Sequence, residues 1–186
     1  MTKLFKKGNI IFGLIPIIAF IALTTGFFIT KYKNSKTNVA LSTYNGEYKK
    51  VLLEGQEYLK TNYPVKEFNV IIYVGDDKNF NSFAGGNGIV LSVLNMSNKG
   101  WREDFNRVAD EWGFEHLTDQ EDNALFLLFH EYRHLLQDGG FVVKMNVLEQ
   151  TPERLRKIIP YRFIPNESDA DWFGLSEVPK FKQKSQ

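Results

Sequence analysis

The chain has 186 residues, 23 basic and 22 acidic side chains, a net charge of +1, 15% aromatic residues and no cysteine. The missing cysteines exclude disulfides and thiolate metal ligation. Residues 1–30 hold three lysines and no acid, so the rest carries 20 basic against 22 acidic residues. That balance argues against nucleic acid as a partner, since nucleic-acid binders usually show a basic footprint.

In chain order, an apolar segment comes first. Gly8 to Thr30 contains no charged residue, and Ile10 to Ile29 is almost wholly apolar. At ~1.5 Å per residue such a helix reaches about 34 Å, enough for a ~30 Å hydrocarbon core. The expectation is a single-pass membrane anchor with a short basic tail over residues 1–30. A cleaved signal peptide is the rival, but its apolar core is usually ~7–15 residues. Lys3, Lys6 and Lys7 flank one side and Lys31, Lys33 and Lys36 the other, so the positive-inside rule nearly ties. A short basic amino-terminal tail favours an extracytoplasmic location for the remainder. Residues 31–37 read as a linker, 38–178 as one domain with a real core, and 179–186 as a flexible, lysine-bearing tail.

Within that domain, Val39 to Thr61 shows helical spacing, with Tyr44, Tyr48, Val51, Leu52, Tyr58 and Leu59 as its buried stripe. Glu67 to Val74 is a β-branched strand, Gly75-Asp76-Asp77 a turn, and Ile89 to Leu94 the next strand. Trp101, Phe105, Val108, Trp112 and Phe114 cluster in the segment after it. They read as a core plug in preference to a lid over a cleft. Thr118 to Gln137 is a helix, with Thr118 and Glu121 as a capping box and Gly139-Gly140 as its stop. Thr151-Pro152-Glu153 opens a short helix. Asn166 is an N-cap for a last one. The expected fold class is α+β: a single transmembrane helix, then a compact domain with a small sheet and one helix packed on its face.

The Thr118–Gln137 helix carries His130-Glu131-Tyr132-Arg133-His134, an H-E-x-x-H pattern. Histidines four apart share a helix face, so both imidazoles reach one metal while the intervening glutamate stays free as a base. Zinc sites of this type take three protein ligands and keep a fourth position open. No histidine follows His134, so a downstream ligand is expected to be a carboxylate. Glu167 and Asp171, four apart in Asn166-Glu167-Ser168-Asp169-Ala170-Asp171, are the candidates. One of them can bind metal while the other orients a ligand histidine. The bland alternative is two incidental histidines on an amphipathic helix and ordinary acidic enrichment at a helix start.

HEYRH followed by ESDAD resembles the HtpX-like membrane-associated gluzincin peptidases. Asn81 to Leu91, NSFAGGNGIVL, resembles the segment that precedes the active-site helix in that family. The resemblance covers roughly residues 68–174 and implies a zincin-like domain holding one Zn²⁺ per chain. It implies His130, His134 and Glu167 as metal ligands, Glu131 as the catalytic base and Asp171 as a support for a ligand histidine. It also implies that Gly88, Ile89, Val90 and Leu91 form an edge strand lining the cleft for a protein or peptide substrate. Tyr161, Arg162 and His116 are candidate donors to a transition-state oxyanion, while Tyr132 and Arg133 read as packing residues facing away from the metal. The expected activity is that of a membrane-anchored zinc endopeptidase. The alternative is a catalytically inactive, zinc-stabilised, membrane-tethered interaction or immunity protein. Oligomeric state is left open.

Overall fold

The computed structural model describes residues 37–142 and 165–185. Strand β1 (Asn38–Ala40) leads to helix α1 (Lys49–Asn62), then strands β2 (Asn69–Tyr73), β3 (Phe83–Gly85) and β4 (Gly88–Ser92). A single turn, α2 (Val93–Met96), precedes helices α3 (Lys99–Trp112), α4 (Gln120–Asp138) and α5 (Pro165–Ser185). The described strands form one mixed sheet in the order β1-β2-β4-β3. β1 and β3 run antiparallel to their neighbours, while β2 and β4 are parallel.

The register places Val70 beside Ile89 and Ile72 beside Leu91. All four are buried and belong to the main core. Alternation sends Ile71 and Val90 to the opposite face, where both are also buried. Against the core face lies α4, buried nearly all round from Asp122 to Tyr132. Its own flanks touch α1 and, most extensively, α5. The α4–α5 pair is antiparallel: Lys182 of α5 meets Asp122 near the start of α4, and Glu167 meets His134 near its end.

Several expectations change. The amino-terminal part of the 39–61 segment is strand and turn, because Val39 pairs with Ile72 at the sheet edge. The helix starts only at Lys49, with Tyr44, Tyr48, Val51, Leu52 and Leu59 all buried. The β4 strand stops at Ser92, where Val93 begins the α2 turn. Helix α4 is capped by Asp119, whose Oδ1 accepts from Asp122 N–H at 2.8 Å, and not by Thr118. Thr118 instead donates its N–H and its hydroxyl to Asp122. The end of the chain is no tail: α5 continues through Pro179 to Ser185, with Phe181 buried against Tyr58 and Phe129. The short helix expected at residues 151–153 lies outside the described residues.

The membrane reading is also corrected. The apolar segment Gly8–Thr30 lies outside the described residues, and among those described no helix is long and apolar enough to cross a membrane. Even α5, with 21 residues, carries Glu167, Asp169, Asp171, Glu177, Lys180 and Lys182 along its length. No described helix therefore supports the single-pass architecture or the extracytoplasmic localisation.

Candidate metal centre

The site is built by two helix termini. On α4, His130 and His134 project one turn apart, near the end of the helix. On α5, Glu167 sits in the first turn. The antiparallel pairing brings these together: His130 Nε2 and His134 Nε2 are 3.2 Å apart, and Glu167 Oε2 lies 3.5 and 3.3 Å from them. Of the described histidines and carboxylates, His130, His134 and Glu167 form a group able to hold a metal ion.

This triangle fits a tetrahedral ion. Zinc bonds to nitrogen and carboxylate oxygen are about 2.0–2.2 Å, which puts neighbouring ligand atoms of a tetrahedron roughly 3.3–3.6 Å apart. Two imidazoles and one carboxylate also suit zinc and its transition-metal neighbours better than calcium or magnesium, which favour all-oxygen sets.

The surroundings support lone pairs at all three corners. His134 Nδ1 lies 2.8 Å from Gln137 Oε1, an acceptor, which calls for the ring proton on Nδ1. His130 Nδ1 lies 2.9 Å from Asp171 Oδ1. That approach is oblique, and neither atom has a well-aligned hydrogen-bond partner. The carboxylate nevertheless favours the same tautomer. Both Nε2 atoms then face Glu167 without a proton between them, an arrangement that a cation resolves.

Electrostatics favours positive charge at this point, which a proton supplies when no metal is bound. Burial disfavours charge on His130, but Asp171 and Glu167 overcome it and raise its pKa above the usual histidine value. His134 is raised too, with burial opposed chiefly by Glu167. Glu131 is 5% exposed. Burial raises its pKa, the two histidines pull it back, Glu167 raises it, and a hydrogen bond from Ala84 N–H lowers it, leaving it raised overall.

A cavity of about 830 Å³ opens onto this cluster. Asn81, Ser82, Phe83 and Ala84 form one wall; Trp101, Phe105, Val108 and Leu127 form an apolar one. Phe105 also packs against Phe126 of α4 with the rings tilted by 43°, at 4.2 Å between centroids. The aromatic segment therefore serves both the core and the cavity, where core packing alone was expected.

The remaining candidates fall as follows. Gly88 to Leu91 form an inner strand, because the two-residue turn at Gly86-Asn87, with Gly86 at φ 59°, folds β3 back over β4. The sheet edge at the cavity is β3. His116 is exposed, bonded to Asp110 at 2.7 Å, and does not line the cavity. Tyr161 and Arg162 lie outside the described residues. Tyr132 is fully buried, with its hydroxyl donating to Val65 O at 3.0 Å. Arg133 forks onto Asp169. Gln137 and Asp169 were missed by sequence reading; the available signal was a glutamine one turn beyond His134. No protein-family model, curated protein or solved structure matches the chain.

Proposed function

We propose that the protein is a zinc-dependent endopeptidase of the H-E-x-x-H type, with His130, His134 and Glu167 as ligands and Glu131 as general base. The observation that carries this reading is the triangle of two imidazole nitrogens and one carboxylate oxygen, with edges of 3.2–3.5 Å, beside a buried glutamate. A bound zinc ion supplies Lewis acidity, polarising the scissile carbonyl and acidifying water.

The chain's own residues do the rest. Glu131 takes a proton from the attacking water at a carboxylate oxygen and returns it to the leaving nitrogen, so water and amide give acid and amine. Ala84 N–H donates to the Glu131 carboxylate and helps hold it in place. The β3 strand, at the sheet edge and on the cavity wall, is positioned to align an extended peptide. The apolar wall of Trp101, Phe105, Val108 and Leu127 excludes water from one side.

The test is zinc stoichiometry together with hydrolysis of an unfolded protein substrate. About one zinc per chain is expected in the wild type and in Glu131→Gln, with weaker binding in Glu167→Ala. Hydrolysis is expected only in the wild type. A folded wild-type chain that binds no zinc would refute the proposal.

A further inference from the structure

The two histidines differ in what stands behind them. His130 Nδ1 faces the carboxylate of Asp171, whereas His134 Nδ1 faces the neutral amide of Gln137. A carboxylate only accepts, but an amide turned through half a revolution presents its NH₂ instead. In the turned state Nδ1 of His134 becomes the acceptor, and the ring proton moves to Nε2. That proton then points at His130 Nε2 and Glu167 Oε2, where a metal ligand needs a lone pair.

The amide is held against turning. Gln137 Nε2 donates to Asn166 O at 3.1 Å and to Asp169 Oδ2 at 2.9 Å. Turned over, the amide oxygen would face two acceptors and lose both bonds. Asp169 is fixed in its turn by Arg133, which donates from Nε to Oδ2 at 2.7 Å and from its terminal nitrogen to Oδ1 at 2.9 Å. This planar fork is the strong form of a charged hydrogen bond. Amide orientation follows from such networks, and here two independent acceptors fix it.

We propose that Gln137, locked by Asp169 and Arg133, is a positioning residue that holds His134 in its Nδ1–H tautomer and keeps its Nε2 lone pair on the metal. The inference rests on the reading of His130, His134 and Glu167 as a metal centre. It goes further by coupling two events. Asn166 and Asp169 flank Glu167 in the chain, so docking of α5 delivers the third ligand and sets the tautomer of the second in one step.

The experiment uses the full chain, stripped of metal by a chelator and titrated with zinc against a chromophoric competitor. Gln137→Met keeps the length and removes the amide; zinc affinity is expected to fall about 10–100-fold. Asp169→Ala removes the carboxylate that accepts from Gln137 Nε2 and is expected to weaken binding as well. Ring-nitrogen NMR of the metal-free chain, at a pH where His134 is neutral, should show the Nδ1–H form in the wild type and a mixture in Gln137→Met. Circular dichroism separates misfolded variants from folded ones.

Wild-type affinity and tautomer in both single variants would overturn the positioning role alone. A folded wild type that binds no zinc would overturn the metal centre itself.

Discussion

Gly174 sets how closely α5 approaches α4, and its replacement by alanine tests the geometry that delivers Glu167. A Cβ at Gly174 would lie 2.8 Å from Cδ2 of Phe126, 2.9 Å from Cε2 and 3.2 Å from the Phe126 carbonyl oxygen. Unstrained carbon contacts are ~3.5–4.0 Å, so the shortfall against the ring is about 0.7 Å. Two effects compete. Removing a glycine from a helix interior favours folding by roughly 1 kcal/mol. Forcing a methyl into filled space costs roughly 1–3 kcal/mol. The second should win, because Phe126 is fully buried and already packed against Phe105. Gly174→Ala is therefore expected to destabilise the metal-free chain by about 1 kcal/mol in urea unfolding. Glu167, Asp171 and Gly174 share one face of α5, at spacings of four and three. Pushing that face outward retracts the carboxylates from the histidines, so zinc affinity should fall by about tenfold or more. A Gly174→Ala chain that is stabilised by about 1 kcal/mol and keeps full zinc affinity would refute the close crossing and the route by which Glu167 reaches the site.

Other perturbations have equally definite outcomes. Phe181→Ala removes a buried ring at the end of α5 and is expected to cost about 3–5 kcal/mol in denaturant unfolding; a loss under about 1 kcal/mol would return that end to solvent. Zinc at a hundredfold excess over its dissociation constant is expected to stabilise the wild type by about 2.7 kcal/mol and Glu167→Ala by much less, read as the shift in thermal midpoint. Asp122 has its carboxylate opposed by burial but held below its ordinary pKa of 3.8 by Lys182 and Thr118. A depressed folded pKa gives stability that is present above the unfolded value and lost as pH falls through the folded one, so the cost of Asp122→Asn should be full at neutral pH, begin to shrink below about pH 4 and go on shrinking as pH falls through the lowered folded value. Unfolding midpoints of both chains across that range check the sign, and a gap that widens on acidification would contradict the ion pair.

How much of this was legible in the sequence follows from what each residue answers to. His130, Glu131 and His134 lie on one helix, and a fixed period of 3.6 residues makes their shared face readable from spacing alone. Glu167 and Asp171 were readable as a pair for the same reason. Strand β4 was misread as an edge because strand order depends on pairing partners; only the turn at Gly86-Asn87, which folds β3 across it, decides the matter. The carboxyl-terminal segment was misread as a tail because Lys180, Lys182 and Lys184 look solvated in isolation, whereas Lys182 meets Asp122 sixty residues away. Gln137 was missed because a neutral amide carries no motif, and its role appears only when Asn166 and Asp169 surround it. The last two misses have one physical source, the antiparallel register of α4 and α5. Each step of about one turn along α4, from Phe126 to His130 to His134, is matched by a step back along α5, from Gly174 to Asp171 to Glu167. Sequence periodicity specifies each ladder separately. The small residue at Gly174 and the ion pair at Lys182–Asp122 set their alignment, and with it whether a two-histidine face acquires the carboxylate that completes a group able to hold a metal ion.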